Sequence, residues 1–324
     1  MPPHVFAVRR RELRFASFSR ASGASALELA EFHALPLADG LFGSGPLGVP
    51  VGDSAALAES VKMLLARVAT PVKEASLVMP DSWTRSMVIE LGDLPDEPAA
   101  RVEVLRFRIK RTVPYRVEDL RIEAVPLSGG EGSTTPTNYF VTLANASVCT
   151  VLEQGFARCG VRIGRISGAT LATMQALDRG DRNRKDADRD AGDRNAPNRG
   201  LVGLALVDSD GFTLVLARDG EPLIYRQKSF TEGLSDADRS RLLTAELRLT
   251  RTYLTENHPR EKLTELYVAA PRAVEPFWMQ VLGQGLECEP SRLRVEHLGL
   301  SAEGFGDSLP ELAPLAGAAS REVA

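Results

Sequence analysis

Residues 77–95, LVMPDSWTRSMVIELGDLP, and residues 111–127, RTVPYRVEDLRIEAVPL, decide how this chain is read. Leu77–Met79 reads as the end of a strand, stopped at Pro80 and turned at Asp81 and Ser82. A second strand follows through Met87–Leu91, where β-branched and apolar residues dominate. Gly92, Asp93 and Pro95 break it. Between Glu97 and Thr112, Val102, Leu105, Phe107 and Ile109 recur among charges, the pattern of an amphipathic helix. Pro114 marks its end, because proline disfavours the helical conformation in the residue before it. Val117, Leu120, Ile122 and Val125 then lead into another strand. The module is strand–turn–strand–helix–strand.

The remaining chain supplies a framework around that module. Val5–Phe18 reads as two short strands or one bent strand, and Leu27–Leu35 as another. Gly40–Gly52 is a loop by its glycine and proline content, and its Gly43-x-Gly45 lacks the flanking strand and helix of a dinucleotide fingerprint. Asp53 or Ser54 caps a helix with Leu57, Val61, Leu64 and Leu65 on one face. Asn138–Ala144 reads as a strand, Ser147–Cys159 as a helix, Val161–Ile166 as a strand and Ala169–Leu177 as a helix. Residues 178–200 (DRGDRNRKDADRDAGDRNAPNRG) offer no large apolar residue to bury and read as a charged, disordered linker. Leu201–Val207, Phe212–Ala217 and Leu223–Phe230 form three strands joined by Asp-Gly turns. Asp236–Thr255 is a long helix, Leu263–Ala269 a strand, Val274–Leu282 a helix and Val295–Leu298 a short strand. The Ala/Gly/Pro-rich end from Leu309 reads as a loose tail.

The 324 residues, 44% hydrophobic and 25% charged, have ample material for two domains. A formal net charge of -4 leaves no electrostatic footprint for nucleic acid. Cys149, Cys159 and Cys288 lack metal-ligand spacing, and an odd count argues for thiols in a reducing compartment. His4, His33, His258 and His297 show no metal-type spacing either, and no nucleophile-elbow motif is present. No apolar run approaches the ~18 residues that span a bilayer, and no signal-peptide pattern precedes Arg9-Arg10-Arg11.

The ordered set Pro80-Asp81-Ser82, Arg85, Leu94-Pro95, Val113-Pro114-Tyr115 and Glu118-Asp119 resembles the type IV pilus assembly protein PilM family of actin-like proteins. The resemblance is best from Leu77 to Leu177. It implies an α/β, actin-like (ribonuclease H-like) two-domain fold with an inserted small α+β subdomain. The first domain is expected at 1–73 and 166–177, the inserted subdomain at 74–165, the linker at 178–200, the second domain at 201–308 and the tail at 309–324.

In that family the chain sits at the cytoplasmic face of the inner membrane. It binds the N-terminal tail of a bitopic membrane protein, PilN, in a groove between the first domain and the inserted subdomain. The resemblance thus implies a cytoplasmic scaffold of a type IV pilus or type II secretion platform, reaching the membrane through its partner and free to self-associate. The groove has no motif. Arg85, Tyr115, Arg116 and Glu118 are candidates by their place on the inserted subdomain, and for each a turn or surface role is the plainer reading.

The family's nucleotide features are degenerate. Its first hairpin carries a glycine-rich Asp-x-Gly turn, whereas Val8–Leu13 here has three arginines and neither glycine nor aspartate. Asp208, Gly211 and Thr213 retain part of a second phosphate loop, with an extra carboxylate at Asp210, and Glu246 stands at the family's helix position. The glycine pair expected beside an adenosine is Ala269-Ala270-Pro271, whose β-carbons and proline oppose close approach. No cofactor is therefore expected. The alternative is an actin-like ATPase binding ATP and magnesium through Asp208, Gly211, Thr213 and Glu246.

Overall fold

The computed structural model describes residues 3–20, 27–43, 54–91, 94–127, 138–177, 200–208, 211–230, 235–301 and 309–322. Two five-stranded sheets with the same connectivity form the framework. The first has the order β3-β2-β1-β4-β8, from β1 (His4–Arg9), β2 (Glu12–Arg20), β3 (Leu27–Pro36), β4 (Glu74–Met79) and β8 (Arg162–Gly168). The second has the order β11-β10-β9-β12-β13, from β9 (Leu201–Asp208), β10 (Gly211–Arg218), β11 (Glu221–Ser229), β12 (Leu263–Ala269) and β13 (Pro290–Arg292). In each, an antiparallel three-stranded meander is followed by two parallel strands reached through helices.

Helices α1 (Ser54–Leu65) and α3 (Ala146–Ala157) pack together on the first sheet, with Leu57, Val61, Leu64, Leu152 and Phe156 in one core. Helices α5 (Asp236–Asn257) and α6 (Glu275–Leu286) do the same for the second, through Leu243, Leu247, Trp278 and Leu282. A third core lies between the sheets. It joins Val5, Ala7 and Val78 of the first to Leu204, Leu206 and Val215 of the second, together with α4 (residues 169–177) and α7 (Leu309–Glu322).

The small unit is a sheet of order β5-β7-β6, from β5 (Thr84–Glu90), β6 (Leu120–Pro126) and β7 (Asn138–Asn145), covered by α2 (Pro98–Ile109). Leu105 and Ile109 of α2 bury against Val141 and Leu143. The strand pairing narrows the inserted unit expected at 74–165. Glu74–Met79 lies between β1 and β8 in the first sheet, and α3 and β8 also belong to that half, so the separate sheet occupies 84–145. The reason is burial on both faces: Leu77 enters the core under α1 and α3, and Val78 enters the core between the sheets.

The expected loose tail is instead α7, whose Leu312, Ala313, Leu315, Ala316, Ala318 and Ala319 are buried. Its small residues permit close helix packing. A Cβ on Gly317 would stand 2.0 Å from the Ala172 carbonyl oxygen of α4, so only glycine fits that crossing. Val295–Leu298 is a 3-10 turn rather than a strand, the edge strand being β13 just before it. The expected linker lies, except for Gly200, outside the described residues, as does Asp210.

Candidate functional site

The cleft between the two sheets is built from the carboxyl ends of β4 and β8, the start of α4, and the inner faces of β10 and β11. Pro80 ends β4, and residues Asp81–Trp83 make a single 3-10 turn that carries the Asp81 side chain inward. Asp81 is 5% exposed. Its carboxylate accepts the backbone N–H of Thr170 at 3.1 and 3.2 Å and the Thr170 hydroxyl at 2.5 Å. Thr170 stands in the first turn of α4, so this remote carboxylate caps the helix and meets the positive end of its dipole.

From the second half, the Tyr225 hydroxyl of β11 donates to the same carboxylate at 3.3 Å, and the Thr213 hydroxyl of β10 hydrogen-bonds it as well. The inserted sheet closes the third side, with Phe140 edge-on to Tyr225 at 6.0 Å and the Thr84 hydroxyl donating to the Asp81 carbonyl at 3.1 Å. Burial pushes the Asp81 carboxyl above the ordinary carboxylate value, against the pull of its hydrogen bonds to Thr170, Thr213 and Tyr225. Burial and then the Asp81 charge push the Tyr225 phenol well above its usual value, which keeps it a donor. Asp81 therefore ties β4, α4 and the second sheet together.

The two hairpin ends face each other next to this cluster. Arg9 ends β1 and Asp208 ends β9. Arg9 is half-buried; desolvation and the like charge of Arg14 lower its pKa, while Asp208, Glu311 and Glu12 act in the opposite direction. Arg14, with its side chain 6% exposed, is held by Glu12 at 2.6 Å and by Glu311 of α7 at 3.1 Å. The space between the hairpins is thus populated by the protein's own cations and carboxylates.

The residues expected around a nucleotide are dispersed. Gly211 pairs with Asp208 at the hairpin, and a Cβ there would stand 2.0 Å from the Lys228 carbonyl oxygen, so this glycine accommodates β11. Thr213 faces Asp81. Glu246 is engaged by Lys228, with its side chain 20% exposed, on a helix covering the opposite face of the sheet. Asp208 and Gly211 are together, but Thr213 and Glu246 do not converge. Ala269 and Ala270 at the end of β12 are buried.

Of the candidate partner residues, Arg85 lies exposed on β5, opposite Leu143. Tyr115 packs against the core under α2. Arg116 pairs with Asp119 at 3.7 Å, and Glu118 is exposed in the 3-10 turn Val117–Asp119. The last three share the turn after α2; Arg85 is on another strand. Residues that sequence reading passed over are Thr170 and Tyr225, which complete the Asp81 cluster, and the pair Arg121–Glu153. That pair is bidentate, with one contact of 2.7 Å, and joins β6 to α3 across the seam between the inserted sheet and the first half. Its only sequence signal is an outward charge on each element.

No protein-family model matches the chain, and no curated protein matches it. Among solved structures, a chain of the PilM-PilN type IV pilus biogenesis complex matches with a TM-score of 0.73 at 17% identity, covering 100% of this chain and 99% of that one. The fold is PilM-like and actin-like. Two weaker likenesses, to the cytoplasmic domain of EpsL, an inner membrane component of the type II secretion system of Vibrio cholerae, and to a Bacteroides thetaiotaomicron protein with an actin-like ATPase fold, have TM-scores of 0.48 and 0.47 at 12% and 11% identity. They cover 92% of this chain each, and 93% and 94% of theirs. In this chain that fold comprises two five-stranded sheets of the same connectivity and the three-stranded sheet under α2. No described helix is long and apolar enough to cross a membrane.

Proposed function

We propose that this chain is a cytoplasmic scaffold of a type IV pilus or type II secretion inner-membrane platform that holds the N-terminal tail of a PilN-like bitopic protein and does not hydrolyse nucleotide. The observation that carries this reading is the end-to-end PilM-like fold. The cleft supports the second half of it: Arg9 and Asp208 at the hairpin ends and the buried Asp81 cluster fill it with the protein's own charged side chains.

The place proposed for the tail is the seam beside β6. The other edge of the inserted sheet, β5, is covered by β11. The β6 edge lies beyond β7, with Glu123 and Val125 exposed, and Arg121–Glu153 frames the seam to α3. An extended peptide docks on such an edge through main-chain hydrogen bonds and alternate side-chain pockets.

Calorimetry and thermal shift with ATP and magnesium test the nucleotide half, and titration with a synthetic N-terminal peptide of a PilN-like bitopic protein tests the other. The expected result is no heat and no melting-point change at millimolar ATP, with peptide binding weakened at least tenfold by Arg121→Glu. A ligand binding only the folded state at a hundredfold excess over its Kd adds about 2.7 kcal/mol, which such a scan would reveal. Micromolar ATP binding overturns the nucleotide half. Peptide binding unaffected by Arg121→Glu overturns the seam.

A further inference from the structure

Away from the cleft, β12, α6, β13 and the turn after it line a half-open pocket of about 410 Å³. Its walls are Tyr267, Met279, Pro290, Arg292, Arg294 and His297. The volume falls in the range of small-molecule pockets, which combine apolar walls with a few placed polar groups. Tyr267 and His297 face each other with ring centroids 4.5 Å apart, Met279 and Pro290 supply apolar surface, and no carboxylate is among the described residues that line the space.

The charges nearby are unequal. Glu275 holds Arg292 at 3.2 Å, and Glu265 accepts the Tyr267 hydroxyl at 2.5 Å, so both carboxylates are engaged. Arg294 is exposed and makes no ion pair among the described residues. The Arg294 backbone N–H donates to His297 Nδ1 at 3.1 Å, which fixes the imidazole ring beside Arg294. Strand addition along this edge is disfavoured at both of its ends. Pro290 has no N–H, and the Arg294 carbonyl already accepts the His297 N–H at 3.1 Å.

We propose that this cavity is a binding site for a small anionic molecule, carrying a carboxylate or a phosphate, whose charge meets Arg294 and His297 and whose body lies against Tyr267, Met279 and Pro290. A compact ligand fits because the edge disfavours an extended chain and an anion fits because the uncompensated charge is positive. The inference does not depend on the scaffold reading.

The test titrates the full chain with citrate and, separately, inorganic pyrophosphate, by calorimetry and thermal shift, against potassium chloride at matched ionic strength. Arg294→Gln removes the exposed cation, and Met279→Trp fills the cavity from α6. Saturable binding of either probe that falls at least tenfold in both variants supports the site, and the probe that binds identifies the anion class. Effects equal to those of potassium chloride, or equal in wild type and variants, overturn it. Because both variants lie outside the interdomain cleft, pyrophosphate held there would be unchanged by them and is distinguished.

Discussion

The duplicated sheets permit a residue-by-residue comparison of their central strand ends. Val78 of β4 pairs with Ala7, two residues before β1 ends, and Ala269 of β12 pairs with Leu206, two residues before β9 ends. Stepping forward, Met79-Pro80-Asp81 corresponds to Ala270-Pro271-Arg272. Both strands are stopped by proline. After it the first half turns a carboxylate into the interior, and the second presents an exposed arginine. The paired hairpin ends are opposite in charge too, Arg9 against Asp208. A shared backbone plan therefore fixes where a side chain stands without fixing its chemistry, and in this chain the hydrogen bonds of Tyr225 and Thr213 across the cleft depend on the first half's carboxylate.

The largest expected effect comes from removing that carboxylate. Asp81→Ala leaves the Thr170 N–H and three hydroxyls without their acceptor, and should cost about 2–4 kcal/mol in urea unfolding, since each orphaned buried group carries a penalty. Loss below about 1 kcal/mol would break the asymmetry drawn here.

A second measurement sharpens it by pH. A carboxyl whose folded pKa is raised binds more protons in the folded than in the unfolded chain, between its ordinary value of 3.8 and its raised value. Its contribution is thus complete below the unfolded pKa and is lost as pH rises through the folded one. The stability of wild type relative to Asp81→Asn should fall as pH rises across that window and then level. A flat difference across unfolding curves from acidic to neutral pH would place Asp81 in a solvated setting.

The smallest effect is expected at the equivalent position of the other half. Arg272→Ala should change stability by no more than about 0.5 kcal/mol, as for an exposed substitution. A cost comparable to that of Asp81→Ala would make the two ends alike after all.

Much of this architecture is legible in the sequence because its signals are local. The Asp-Gly turns mark the hairpins of the second sheet, and Leu105 and Ile109 at helical spacing mark the buried face of α2. The border of the inserted unit was less visible, since Leu77 and Val78 are apolar in either assignment and only pairing to β1 decides. The end of the chain is misleading in composition: alanine, glycine and proline read as loose, yet small side chains are what let α7 meet α4. The Asp81 cluster spans 144 residues to Tyr225. Pro-Asp-Ser announces a turn, but no local pattern announces what the carboxylate meets.

The position of α7 has a consequence for synthesis. This helix fills the core against β1, β2 and β4, which lie far before it in the chain. At a ribosomal rate of about 5–20 residues per second, the first sheet waits on the order of tens of seconds for the helix that covers its inner face. During that interval the apolar side chains of Val5, Ala7 and Val78 stand open to chaperones or to neighbouring nascent chains, so the first sheet is completed by a helix that follows the second sheet in the chain.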